Sequence, residues 1–149
     1  FRPDAATVEA LAHFVAVVRR LRRDCPWDRE QTHASVRHLL IEETYEAVES
    51  IENEDWNELR KELGDLLLHV VFHSTMGEEA GTFTLREVVE GETEKLVRRH
   101  PHVFGEARVS GTGEVLQNWE KIKMTEGRTA LPADPVDVAD SLVHIHLPE

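Results

Sequence analysis

Two pairs of acidic residues lie at helical spacing in neighbouring segments of the chain. Glu43 and Glu46 form the first pair, and Glu62 and Asp65 form the second. At about 100° per residue, Glu43 falls on the apolar stripe that begins at Val36, and Glu46 lies beside that stripe. An ionised carboxylate on a packed helix face is costly unless a paired cation, a raised pKa or a bound metal compensates it. The first pair is therefore a candidate site, provided that one of these compensations is present.

The second acidic pair opens a strongly apolar segment. Residues 66–72 read LLLHVVF, a composition typical of a helix that is buried on most sides. Asp65 shares its side with Phe72 and Met76, so we expect it to point inward. A hairpin turn at residues 53–55 would bring the two acidic pairs face to face, where four carboxylates repel one another strongly. A hard divalent cation would relieve that repulsion, and oxygen-only ligands favour Mg²⁺, or Mn²⁺, over zinc.

The abundance of acidic residues supplies a simpler interpretation. The chain has 29 Asp and Glu among 149 residues, so an E-x-x-E spacing arises easily by chance on a solvated helix face. The repetition of the pattern on two adjacent helices, each time in phase with the apolar stripe, favours a metal site built from Glu43, Glu46, Glu62 and Asp65.

A second group of residues could bind an anion. Lys95, Arg98 and Arg99 share one helical side and could neutralise a polyphosphate, or they could simply complement the dipole at a helix C-terminus. Trp119 and Lys123 are four residues apart and could offer an aromatic face for a base together with a phosphate contact. A tryptophan that only packs is the alternative.

The hydrophobic period predicts an all-α fold, a bundle of about five helices. We place them at residues 4–23, 35–52, 55–76, 84–100 and 114–126, with a break at Pro26 and a loop over residues 102–113. Asp55 and Thr84 each precede a glutamate by three residues, as in a capping box. We assign residues 1–128 to one domain and residues 129–149, which contain three prolines, to a tail or linker.

Composition restricts the partners of the protein. A net charge of −12 and a pI of about 5.2 argue against binding to a nucleic acid polymer or an anionic membrane. One cysteine, Cys25, excludes an internal disulfide and fits a reducing compartment. The sequence shows neither a secretion leader nor an apolar run long enough to span a membrane, so we expect a cytoplasmic protein.

Five strings occur in an order that resembles the MazG family of nucleoside triphosphate pyrophosphohydrolases. They are CPWD at 25–28, EETYE at 42–46, ELGDLL at 62–67, EKLVRRHPHVF at 94–104 and NWEKIK at 118–123. The resemblance covers about residues 11 to 126. Each string is weak alone, whereas the combination is highly specific.

The resemblance implies a fold, a reaction and a set of site residues. The fold is all-α and dimerises so that paired helices complete a bundle, giving a homodimer or a higher homo-oligomer. The reaction is hydrolysis of an NTP or dNTP between the α- and β-phosphates, which gives the monophosphate and pyrophosphate. The four acids hold Mg²⁺, Lys95 and Arg99 contact phosphates, and Trp119 and Lys123 complete the pocket.

The attacking water also needs a base. We expect a carboxylate, Glu42 or Glu46, to accept its proton.

A different function stays open at this point. Members of the family often carry two tandem copies of the domain, and the copy that opens with CPWD can be catalytically silent. Some active copies also have a lysine one turn before the first ligand, where this chain has Leu39. The alternative is therefore a silent nucleotide-binding or dimerisation module of a two-domain protein.

Overall fold

The computed structural model describes residues 2–126, and within them the chain is helical without any strand. The helices are α1 (Ala5–Asp24), α2 (Pro26–Glu30), α3 (His33–Glu52), α4 (Trp56–Ala80), α5 (Leu85–Arg99), α6 (Pro101–Phe104) and α7 (Thr112–Thr125). The predicted all-α fold is confirmed. No helix in this part of the chain is long and apolar enough to cross a membrane. The predicted tail at 129–149 lies outside the described residues.

Side-chain caps determine where the long helices begin. The Asp55 carboxylate accepts a hydrogen bond from the backbone N–H of Glu58 at 3.0 Å, so α4 begins where the sequence predicted. At α3, Thr32 and Ser35 cap each other reciprocally, which starts the helix at His33, earlier than predicted. These local contacts fix the ends of the two helices that carry the acidic pairs.

Two short helices fall where the sequence predicted irregular chain. Helices α2 and α6 each begin with a proline, at Pro26 and Pro101. Proline suits the first position of a helix, because the N–H that it lacks has no acceptor there. The proline that ends one helix therefore also starts the next.

The first compact unit of the chain ends at Gly91 and the second begins at Glu92, within α5. In the first unit, α3 and α1 both pack on α4, and α2 packs on α1. The core of this unit contains five buried side chains, Val18, Val36, Val71, Phe72 and Met76. The α3–α4 pair, joined by the turn at residues 53–55, is the hairpin that carries the predicted acidic site.

Much of the apolar surface of this hairpin is exposed in the single chain. Leu40 and Ile51 lie on the same apolar stripe as buried Val36, yet they are 38% and 52% exposed. The expectation that residues 66–72 are buried on nearly all sides is also wrong for the single chain, because Leu67 and Leu68 are exposed. The apolar stripe is wider than the area that the neighbouring helices of one chain can cover.

Candidate functional site

Three carboxylates converge between α3 and α4. One carboxylate oxygen from each of Glu43, Glu62 and Asp65 lies within 4.8 Å of the other two. Glu62 is buried, Glu43 is half-buried and Asp65 is exposed. Asp65 was expected to be drawn inward, and that expectation is wrong for the single chain, although its carboxylate still reaches the group. We call Glu43, Glu62 and Asp65 the acid cluster.

The acid cluster lacks internal compensation. Glu43 and Glu62 each keep a buried Oε2 atom with no hydrogen-bond partner among the described residues. Burial raises the pKa of Glu43 to about 8, with further contributions from the adjacent Glu62 and from the charges of Asp65 and Glu46. Burial also raises the pKa of Glu62. Because desolvation and like charge both disfavour ionisation, the cluster is costly in its fully charged form.

Glu46 lies beside the acid cluster without being part of the close group. Burial is the main cause of the raised pKa of Glu43 and Glu62, and the charge of Glu46 adds to it, so its carboxylate lies near them. Glu42 and Glu46 are both exposed on α3, so proximity to the acid cluster is what separates them. Of the two predicted bases, Glu46 is therefore the one whose carboxylate interacts with the acid cluster.

A polar cleft of about 410 Å³ lies next to Glu46, at the turn of the hairpin. Its lining residues are Glu46, Glu49, Ser50, Asn53, Asp55, Glu58 and Glu62. An anion could enter so acidic a cleft only with cations to neutralise the carboxylates.

The chemistry of the donor set matches a hard divalent cation. All the converging atoms are carboxylate oxygens, the ligands that Mg²⁺ and Mn²⁺ prefer. Two of the carboxylates have a buried oxygen left without a partner, as expected of groups shaped to hold an ion. The residues present therefore fit a divalent metal.

Histidines follow the acid cluster along α4. Burial lowers the pKa of His69, and the charge of Asp65 opposes that shift, so the two side chains are near each other. His73 pairs with a different residue, because its Nδ1 lies 2.7 Å from Nδ1 of His33. This pairing between the start of α3 and the middle of α4 had no signal in the sequence, since 40 residues separate the two histidines.

The predicted phosphate-binding residues all lie in the second unit. Lys95, Arg98 and Arg99, which we call the basic group, are near the end of α5. Each is already paired with a carboxylate: Lys95 Nζ lies 2.6 Å from Glu92, and both arginines donate hydrogen bonds to Glu126. The basic group is therefore neutralised internally, unlike the acid cluster.

The aromatic residue predicted for the pocket contacts the basic group. The guanidinium carbon of Arg99 lies 5.5 Å from the ring centre of half-buried Trp119, over the ring. His100 meets the same ring edge-on at 5.2 Å between ring centres. Lys123 is exposed on α7. Trp119, predicted to offer its face to a base, thus supports Arg99 through a cation–π contact.

Glu126 is the residue that the sequence reasoning missed. It follows the last turn of α7, and its carboxylate binds two arginines 27 and 28 positions earlier in the chain. A capping or i,i+4 pattern cannot report a pair at that separation. The composition of NWEKIKMTE gives no reason to select this acid over Glu120.

The fold and the acid cluster together define an all-α protein with a carboxylate site suited to a divalent cation. The sequence model described as the MazG nucleotide pyrophosphohydrolase domain matches residues 31–104, which include the whole α3–α4 hairpin. The chain belongs to the MazG family, as its five sequence strings predicted.

Named relatives agree with this assignment. The nucleoside triphosphate pyrophosphohydrolase of Escherichia coli K12 is 44% identical over 115 residues, which are 75% of this chain and 44% of that protein. The nucleoside triphosphate pyrophosphohydrolase/pyrophosphatase MazG of Thermotoga maritima is 45% identical over 114 residues, 75% of this chain and 43% of that protein. The chain spans between 24% and 49% of the length of the curated relatives that it matches.

A solved structure supports the fold independently. The crystal structure of a mazG-related protein from Thermotoga maritima aligns with a TM-score of 0.66, covering 76% of this chain and 98% of that one, at 22% identity. At that identity the likeness concerns the arrangement of helices alone.

Proposed function

We propose that this protein hydrolyses nucleoside triphosphates, NTPs or dNTPs, at the α–β phosphoanhydride in a Mg²⁺-dependent reaction. The reaction consumes one water and gives the nucleoside monophosphate and pyrophosphate. The observation that carries the proposal is the convergence of Glu43, Glu62 and Asp65 within 4.8 Å, with two buried oxygens that lack partners. Membership of the MazG family supplies the reaction class.

The roles follow from the placement of the carboxylates. Glu43, Glu62 and Asp65, with Glu46 beside them, would hold the cation, which when bound neutralises phosphate charge and acidifies water. Glu46 is the better candidate for the base, because its carboxylate lies near the acid cluster. Mn²⁺ would satisfy the same oxygen ligands.

The residues of the second unit are proposed as phosphate and base contacts. Lys95, Arg98 and Arg99 carry the charge that a polyphosphate requires, and Trp119 and Lys123 are four residues apart on α7. Their present ion pairs do not contradict this role, since a guanidinium binds carboxylate and phosphate through the same donors.

The decisive measurement is release of pyrophosphate and monophosphate from a panel of NTPs and dNTPs. We expect release with Mg²⁺ and none with EDTA. Asp65→Asn and Glu46→Gln should each lower the rate by more than about tenfold, because each removes a charge from the metal-binding region. Glu52→Gln, an equal charge change on the exposed end of α3, should have little effect. Full activity in Asp65→Asn would contradict the site assignment.

One feature favours a silent nucleotide-binding or dimerisation module instead. Leu39, at a position occupied by lysine in some active copies, packs against the core around Val36, so this chain supplies no cation there. A silent module would bind nucleotide, or dimerise, without releasing pyrophosphate from any substrate in the panel. Nucleotide binding measured on the same folded protein separates this result from simple inactivity.

We also propose that the protein is a homodimer or a higher homo-oligomer. The hairpin exposes apolar area that a second copy could cover, at Leu40, Ile51, Leu63, Leu67 and Leu68. Light scattering during size exclusion should therefore give at least twice the monomer mass. Leu67→Asp should reduce that mass, whereas Leu116→Asp, at a residue 60% exposed on α7, should not. A monomeric wild-type protein would contradict the proposal.

A further inference from the structure

A carboxylate from the same unit accepts hydrogen bonds from the two arginines of the basic group. Arg99 Nη2 donates to Glu126 Oε2 at 2.9 Å, and Arg98 Nε donates to Glu126 Oε1 at 2.8 Å. Arg99 and Glu126 are among the least exposed charged side chains of this unit, at 16% and 18%. Glu126 thus bridges two arginines in a sheltered position.

The contact occupies the donors that a phosphate group would use. Arg99 Nε also lies 3.3 Å from both oxygens of Glu126, so the edge of the guanidinium formed by Nε and Nη2 is filled. Its face lies over Trp119. Because carboxylate and phosphate bind a guanidinium edge in the same forked geometry, a phosphate arriving at this edge must displace Glu126.

The carboxylate is present in its charged form at neutral pH. Hydrogen bonds from Arg99, then from Arg98, lower the pKa of Glu126 to about 2. Because this carboxylate is tethered to the chain, it stays near the arginines and competes with any anion that arrives from solution. It also cancels one of the two positive charges that would attract the anion.

We propose that Glu126 is an internal competitor for phosphate at Arg98 and Arg99, and that it sets the affinity of this pair for the phosphate groups of the substrate. The inference rests on the proposed function, in which these arginines contact phosphate. Removing the charge of Glu126 should free the Nε–Nη2 edge of Arg99 and the Nε of Arg98, while Glu94 stays beside Arg98.

The test is binding of inorganic pyrophosphate to the full chain in EDTA, measured by calorimetry. Without metal, binding depends neither on the acid cluster nor on turnover. Glu126→Gln keeps the size of the side chain and should bind pyrophosphate about tenfold more tightly than wild type, because one nearby repulsive charge is lost. Glu94→Gln is the matched control. Glu94 is 80% exposed and 3.4 Å from Arg98, and its loss should change affinity by less than about twofold.

Three results would overturn the proposal. Equal or weaker pyrophosphate binding by a Glu126→Gln protein with a normal melting curve would make Glu126 a structural brace. Persistence of the tighter binding after Arg99→Gln is added to Glu126→Gln would show that the gain does not use Arg99. If neither wild type nor Glu126→Gln binds at millimolar pyrophosphate, the pair is not a phosphate site, and the proposal is again overturned.

The outcome is distinguishable from failure of the proposed enzyme activity. If Glu126→Gln shows the tenfold gain in EDTA but the protein releases no pyrophosphate from NTPs, the role of Glu126 as a competitor stands and only the catalytic proposal fails. In an active enzyme, Glu126→Gln should lower KM while leaving kcat nearly unchanged, because the competition occurs at binding.

Discussion

The acid cluster and the basic group treat their charges in opposite ways. In the acid cluster, the carboxyl groups of Glu43 and Glu62 lie close together, and each keeps a buried oxygen without a partner in the described chain. In the basic group, Arg98 and Arg99 share the carboxylate of Glu126. Within the described part of the chain, the fold therefore leaves the carboxyl groups of the acid cluster without cationic partners, whereas it pairs the arginines of the basic group with a carboxylate.

The two pKa shifts express this difference. Burial and neighbouring acids raise the pKa of Glu43 to about 8, whereas two arginines lower that of Glu126 to about 2. A group that resists ionisation in the folded protein gains from an external cation, and a group already stabilised by cations gains nothing from one. A cation that binds the acid cluster therefore relieves an unfavourable arrangement of carboxyl groups. An anion that binds the basic group must instead compete with Glu126.

The largest expected effect is stabilisation of the acid cluster by metal. Mg²⁺ at about one hundred times its Kd should raise the free energy of unfolding by about 2.7 kcal/mol, because it binds only the folded protein. Denaturant unfolding with Mg²⁺ and with EDTA measures the difference. Glu62→Gln should remove the metal-dependent gain without destabilising the protein in EDTA, since it relieves repulsion in the metal-free cluster.

The control for this prediction is Glu52→Gln, which changes the same charge on an exposed part of α3. It should keep the whole gain from Mg²⁺. If Glu62→Gln responded to Mg²⁺ as strongly as the wild type, the acid cluster would be no more than an unfavourable arrangement of carboxylates.

The pH dependence of stability should have opposite signs at the two sites. In EDTA, the raised pKa of Glu43 means that the folded protein holds a proton which the unfolded chain releases above about pH 4.5. Stability should therefore fall as the pH rises from 4.5 to 8. The lowered pKa of Glu126 has the reverse effect, so its contribution is complete above pH 4.5 and is lost as the pH falls toward 2.

Two variants separate these contributions in denaturant titrations across the pH range. Glu43→Gln should flatten the curve above pH 4.5 and leave the acid side unchanged, and Glu126→Gln should do the reverse. A single variant that flattened both sides would show that the two sites are not independent in their effect on stability.

The acid cluster could be predicted from the sequence because the spacing that indicates it is local. The spacing of Glu43 and Glu46 against Val36 reports which helix face they share, and a short turn at residues 53–55 leaves little freedom in how α3 meets α4. The start of α4 was equally accessible, since Asp55 caps this helix through its own side chain. Such features depend on neighbours a few residues away.

The features that the sequence did not predict depend on distant contacts. The pairing of Glu126 with Arg99 and of His33 with His73 joins residues 27 and 40 positions apart. The exposure of Leu67 was also missed, because periodicity reveals which face is apolar but not whether one chain suffices to cover it. The roles of Lys95 and Lys123 stay predictions.

The smallest expected effect distinguishes the two arginines of the basic group. Arg99 is 16% exposed, pairs with Glu126 through two nitrogens and lies over Trp119, whereas Arg98 is 44% exposed. Arg99→Gln should lower the melting temperature by a few degrees, because it leaves a sheltered carboxylate with one partner fewer. Arg98→Gln should lower it less, since exposed ion pairs contribute little.

A double-mutant cycle with Glu126→Gln makes that comparison quantitative. The coupling of Glu126 to Arg99 should exceed its coupling to Arg98, and both should weaken at high salt, the Arg98 term more steeply because water and ions reach it more easily. Equal couplings would mean that Glu126 is held by the summed charge of α5 rather than by the forked contact with Arg99. In that case a phosphate would not need to displace Glu126 from one particular guanidinium edge. The contrast between the acid cluster and the basic group would then be a difference in net charge and not in the geometry of their contacts.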